Sequence, residues 1–136
     1  MISAEMVNIM KVIVTATNDT IDDDVDPRFG RCQYFITVDT ETLDYTAQKN
    51  DQKNASGGAG IQAAQTVANN QVEAVITGSV GPNAFQTLSA AGVKIFTGAS
   101  GKVKDAIIDF KEGNLQETKA STVGPHHGMG GQRPNK

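Results

Sequence analysis

Residues 11–16 read Lys11-Val12-Ile13-Val14-Thr15-Ala16, and this unbroken apolar, β-branched run restricts the possible folds more than any other stretch. A strand with one wet face alternates apolar and polar residues. A continuous run has no wet face and needs cover on both sides. It predicts a central strand inside a layered sheet. Gln33–Asp39 reads as a second strand, Thr40–Thr42 as a turn, and Leu43–Gln48 alternates with period two, as a hairpin partner with one wet face does. Ala59–Asn69 carries Ile61, Ala64, Val67 and Ala68 near helical spacing. Val72–Thr77 is a short apolar strand. Pro82 suits the first turn of a helix running through Ala84, Phe85, Leu88 and Ala91, with Gly92 as its stop. Val93–Phe96 is a fifth strand, and Val103, Ile107, Ile108 and Phe110 outline a third helix. After Gly113 the pattern fades. The order β-β-β-α-β-α-β-α implies an antiparallel meander extended by two parallel strands through right-handed crossovers. The expected product is an α/β sandwich with a mixed five-stranded sheet and three helices.

The chain has 136 residues, enough for one domain with a real core. Three parts are expected: an N-terminal extension over 1–9, frayed or in peripheral contact, a domain over 10–113, and a flexible Gly/His/Met tail over 114–136. A formal charge of −3 argues against generic nucleic-acid binding, which needs a basic face. No apolar run approaches the ~20 residues that span a bilayer. The opening MISAEMVNIM lacks the basic region and cleavage site of a secretory signal. The lone Cys32 excludes an internal disulfide and fits a reducing, cytoplasmic setting.

Chemistry concentrates in three places. In DPRFGR, Arg28 and Arg31 offer permanent charge and planar forks for an anionic oxygen or sulfide, with Gly30 permitting a positive-φ turn. They equally suit pairing with the acidic loop Asp19–Asp26. Cys32 is a soft thiolate candidate whose pKa the arginines would lower, or else a small buried core group. Gly78-Ser79-Val80-Gly81-Pro82-Asn83 joins a strand to a helix, where unpaired amides attract anions. Gly78, Ser79, Gly81 and Asn83 are the candidate contacts, and Gly57-Gly58 offers a similar amide nest before the preceding helix. The alternatives are a plain capped turn and a flexible helix entrance. No G-K-[ST] follows these glycines, so this is not a Walker loop. In the tail, His126, His127 and Met129 are sound ligands for soft and borderline metals, or incidental members of a disordered end. Asp19, Asp22, Asp23 and Asp24 lack calcium-loop spacing and read as a solvated loop.

MKVIVTATND, then VDPRFGRCQYFITVD, then GGAGIQAAQTVANNQVEAVITGSVGPNAFQTLSAAGVKIF and the Gly/His/Met tail together resemble the nitrogenase iron–molybdenum cofactor biosynthesis accessory family. The likeness spans residues 10–113, and DPRFGR and ITGSVGPNAFQTLSAAGV are its most specific pieces. It implies a ribonuclease-H-like fold with strand order 3-2-1-4-5. It also implies a non-enzymatic role in carrying or inserting an iron–sulfur or iron–molybdenum cluster, with cluster-assembly or acceptor proteins as partners. Nuclease chemistry on such a fold needs clustered carboxylates holding two metal ions, and Lys11–Ala16 carries no acid.

The reading is a cluster carrier, a monomer or weak homo-oligomer. The cargo docks between Gly78–Asn83 and the DPRFGR loop, and His126, His127 and Cys32 are the possible metal ligands. Two other readings stay open: a metal-free module docking on cluster-assembly proteins, and a binder of a small oxyanion.

Overall fold

A computed structural model describes residues 10–51 and 58–120. Its elements are β1 (Lys11–Ala16), β2 (Tyr34–Asp39), β3 (Tyr45–Lys49), α1 (Ala59–Asn69), β4 (Ala74–Ile76), α2 (Pro82–Ala90), β5 (Lys94–Phe96) and α3 (Val103–Lys111). The five strands form one sheet in the order β3-β2-β1-β4-β5. β1 pairs antiparallel with β2 and parallel with β4, while β3 joins β2 antiparallel and β5 joins β4 parallel. The expected mixed sheet with three helices is the observed one.

β1 is buried from Val12 to Ala16, because helices cover both faces of the sheet. Ile13 points into a core with Phe35, Val75 and Ile95, closed by Ala63, Ala64 and Val67 of α1 and by Ala84 and Leu88 of α2. Val12, Val14 and Ala16 point the other way, into a core with Ile36, Val38 and Ile76 that Val103, Ala106 and Ile107 of α3 close. One strand thus feeds two cores, as its unbroken apolar run requires.

β3 departs from expectation. Its alternation reads as one wet face, yet all five residues are exposed. The strand lies at the sheet's edge, outside the footprint of the helices, so period two decided its type but not its cover. Gly92 stops α2 in the left-handed region at φ 79°, as its position implies.

Candidate functional site

The site begins where β1 and β4 end. Asp26 donates its N–H to the Thr15 carbonyl at 2.8 Å, and the Thr15 hydroxyl donates back to the Asp26 carbonyl at 2.7 Å. Thr15 Oγ1 also lies 2.8 Å from Thr77 Oγ1, which ties the ends of the two parallel strands together. All three residues are buried. Their mutual hydrogen bonds are what make burial of such polar groups tolerable.

From this anchor the DPRFGR loop runs beside the strand–helix turn after β4. Ser79 donates both its N–H (2.9 Å) and its hydroxyl (3.0 Å) to the Pro27 carbonyl. The Phe29 ring is buried in the core against Phe35, with centroids 6.4 Å apart. Two glycines allow the approach. A Cβ on Gly78 would lie 2.6 Å from Pro27 Cα, and one on Gly30 would lie 2.8 Å from Gly60 Cα. Any side chain there would push the loop off its neighbours.

The loop and two helix ends enclose a cleft of about 460 Å³, lined on one side by Arg28, Phe29, Gly30 and Arg31. Facing them are residues 58–61 of the α1 entrance and Ser79 and residues 81–84 of the α2 entrance. Gly58 caps α1 in the left-handed region at φ 76°, and the first helical bond is the Gln62 N–H to the Gly58 carbonyl at 2.9 Å. The Ala59, Gly60 and Ile61 amides precede that bond. In α2 the first helical bond is the Phe85 N–H to the Gly81 carbonyl, again 2.9 Å, and Pro82 has no N–H, so Asn83 and Ala84 supply the first-turn amides. Among the described residues, neither helix has a side-chain cap or an acid in its first turn. Two positive dipole ends therefore face one cleft.

Arg28 adds charge in a fixed pose. Its Nε donates to Asp26 Oδ1 at 3.1 Å, its Nη2 to Oδ2 at 3.2 Å, and its own N–H to Oδ1 at 3.1 Å. The Asp26 side chain is 1 % exposed and the Arg28 side chain 59 %, so the carboxylate is hidden while much of the guanidinium meets solvent. Asp26 raises the Arg28 pKa above its ordinary value, chiefly through these hydrogen bonds. Arg31 is exposed on the same wall.

The structure gathers Arg28, Arg31, Gly58, Ser79, Gly81 and Asn83 around one cleft and gives several of the sequence-derived residues other tasks. Gly78 packs against Pro27 and is not among the residues lining the cleft. Ser79 fastens the loop with both of its donors. Gly30 is absent from the positive-φ residues, so it is needed for space against Gly60 and not for turn geometry. The expectation of a depressed Cys32 pKa is corrected: burial, first, and the Asp26 charge, second, push the thiol up to about 12, and the Arg28 charge is a minor counterweight. The thiol is fully buried in the α1/α2 core. Gly57, His126, His127 and Met129 lie outside the described residues. Among the described residues, no group of three or more His, Cys, Asp or Glu is placed to hold a metal ion.

Two residues that hold the DPRFGR loop in place escape a reading of the sequence. Gly60 is one, visible only once Gly30 is known to lie against it. Asn50 is the other: buried after β3, it donates to the Gly30 carbonyl (3.2 Å) and the Cys32 carbonyl (2.9 Å), holding the loop's exit. An isolated polar residue closing a strand gave no signal of this.

With the cleft in view, the likenesses to known proteins take on meaning. The orange protein from Desulfovibrio gigas, in its apo form, superposes with a TM-score of 0.82 at 36 % identity, covering 85 % of this chain and 98 % of that one. A NifB-like protein from Thermotoga superposes with a TM-score of 0.73, also at 36 % identity and the same coverage of 85 % and 98 %. An uncharacterized protein of Methanocaldococcus jannaschii is 27 % identical over 114 residues, 82 % of this chain and 93 % of that one. The model of the family described as dinitrogenase iron-molybdenum cofactor matches residues 10–113, across the cleft and all eight elements, and the chain belongs to that family.

Proposed function

We propose that the protein binds a metal–sulfur cluster of the iron–sulfur or iron–molybdenum type in this cleft and passes it to cluster-assembly or acceptor proteins, acting as a carrier and not as an enzyme. The observation that carries the reading is the convergence of two open helix entrances with Arg28 and Arg31 on one cavity of about 460 Å³. Amide dipoles and guanidinium charge favour an anion, and a cavity of this size has room for a bulky one. Holding cargo by charge and amide hydrogen bonds instead of a full set of metal ligands favours release, which a carrier must achieve. His126 and His127, outside the described residues, are the candidates for direct metal ligation. Cys32 is left out, because it is fully buried in the α1/α2 core and does not line the cleft.

Anaerobic reconstitution with iron and sulfide, or with tetrathiomolybdate, tests this. The expected product keeps its colour through gel filtration, and the Arg28→Ala/Arg31→Ala variant loses it while staying folded. A colourless wild-type product would overturn the proposal. Deleting residues 121–136 then separates the tail's share: loss of colour assigns ligation to the histidines, and retention assigns binding to the cleft alone.

A further inference from the structure

The two edges of the sheet are finished differently. Along β5, Glu117 bridges to Phe96, and the Thr118 N–H donates to the Ile95 carbonyl at 2.7 Å, so the chain covers its own edge. Along β3, no described residue pairs with the outer side.

The register determines which groups that side presents. Asp39 donates to the Asp44 carbonyl and Asn50 to the Gln33 carbonyl, both at 2.9 Å. Residues 44, 46, 48 and 50 thus turn their backbone groups toward β2. In an antiparallel ladder the residues between them point the other way. Tyr45, Ala47 and Lys49 therefore aim their N–H and C=O groups outward. Every β3 side chain is exposed, Tyr45 by 38 %. The strand has no proline, its pairing with β2 runs without a bulge, and its one charge, Lys49, stands at its end. The devices that normally blunt an edge are nearly absent.

We propose that β3 is a self-association edge, through which two copies pair antiparallel about a two-fold axis at Ala47. A second copy is the occupant that fits, because the outward set is symmetric about Ala47. In that register every outward N–H and C=O of Tyr45, Ala47 and Lys49 gains a partner, and a shift of two residues leaves some unpaired. Side chains agree: Ala47 meets Ala47, the smallest residue of the strand. Tyr45 lies beside Lys49 of the second copy, where ring and ammonium attract. No like charges stand opposite each other.

Sedimentation velocity of the full chain over about a hundredfold concentration range tests the proposal, because association follows mass action. Ala47→Asp sets two carboxylates face to face at the axis. Ala47→Pro removes one outward N–H and leaves the β2 ladder intact. The wild type is expected to shift from monomer to dimer with rising concentration, with amide exchange at Tyr45, Ala47 and Lys49 slowing in step. Ala47→Asp stays monomeric and folded by circular dichroism, and so does Ala47→Pro. Three results would each overturn the proposal: a wild type monomeric throughout, a dimer that survives both substitutions, or protection of the three amides at every concentration, which would mean that a segment of the same chain covers the edge.

Discussion

α3 and the pair α1/α2 begin in opposite ways. The first amides of α3 are taken: the Val103 N–H donates to the Asp23 carbonyl and the Lys104 N–H to the Ile21 carbonyl, both at 2.9 Å. Asp105 adds an acid to its first turn. The acidic loop that serves α3 is itself held, with Asp22 2.9 Å from Lys104 and Asp23 accepting from Thr20. Among the described residues α1 and α2 have no such closure, only glycine at the entrance and a cavity in front. One stretch, Thr17–Arg31, thus closes one helix with its acidic half and faces two open ones with its arginine half. The lesson is that an open entrance is not this chain's default. It occurs where two entrances and two arginines meet.

The sharpest way to break the contrast is to separate the arginine loop from the helices. Gly78→Ala puts a Cβ 2.6 Å from Pro27 Cα, and Gly30→Ala puts one 2.8 Å from Gly60 Cα, both against backbone that cannot swing aside. Each is expected to cost about 1–3 kcal/mol in urea unfolding and to abolish anion binding. Gly81→Ala is the control: open space surrounds its Cβ position and its φ is −83°, so a loss under about 1 kcal/mol is expected.

A second test makes α2 resemble α3. Asn83→Asp sets a carboxylate in the first turn of α2, as Asp105 is in α3. Stability should rise by about 0.3–1 kcal/mol, because the dipole is satisfied. Affinity for tetrathiomolybdate should fall roughly tenfold, because the carboxylate competes for the same amides. A variant that is more stable and binds equally well would dissociate the open entrance from function.

Cys32 sharpens the contrast between cleft and core through pH. Its folded pKa, about 12, lies above the thiol's ordinary value of 9.0, so between these values the native state keeps a proton that the unfolded state loses. Stability should therefore be unaffected by this group well below pH 9 and decline above it, by up to about 1.4 kcal/mol per pH unit. Cys32→Ala should flatten that decline in thermal melts from pH 8 to pH 11. Arginine and amide groups do not titrate near neutrality, so the smallest effect is expected for binding by the cleft itself, which should be constant from about pH 6 to 9.

Patterning made the architecture legible. Val12-Ile13-Val14 announces a strand covered twice, and Pro82 and Gly92 bracket α2 correctly. Strand order followed from family resemblance, not from periodicity, because a single sequence does not say which side of β1 receives the next strand. The site was legible where it rests on side chains: Arg28 and Arg31 stand out in an acidic chain. It was less legible where backbone builds it. An open amide has no letter of its own, so Gly60, Ile61 and Ala84 pass for ordinary helix residues, and Gly30 looks like a turn glycine until Gly60 is found against it. The ion pair that Arg28 makes is with Asp26, a buried residue bonded to Thr15, 11 residues away in sequence, and Thr15 is bonded in turn to Thr77, 62 residues from it, so no local pattern announces the arrangement.

Under the proposed function, the α1 and α2 entrances form one anion site and the α3 entrance does not. Titrating the ¹⁵N-labelled full chain with tetrathiomolybdate and following each amide by NMR tests it directly. Shifts are expected to saturate together at Ala59, Gly60, Ile61, Asn83 and Ala84 and to be absent at Val103 and Lys104. Shifts of equal size at all three entrances, or shifts confined to residues remote from the cleft, would contradict it.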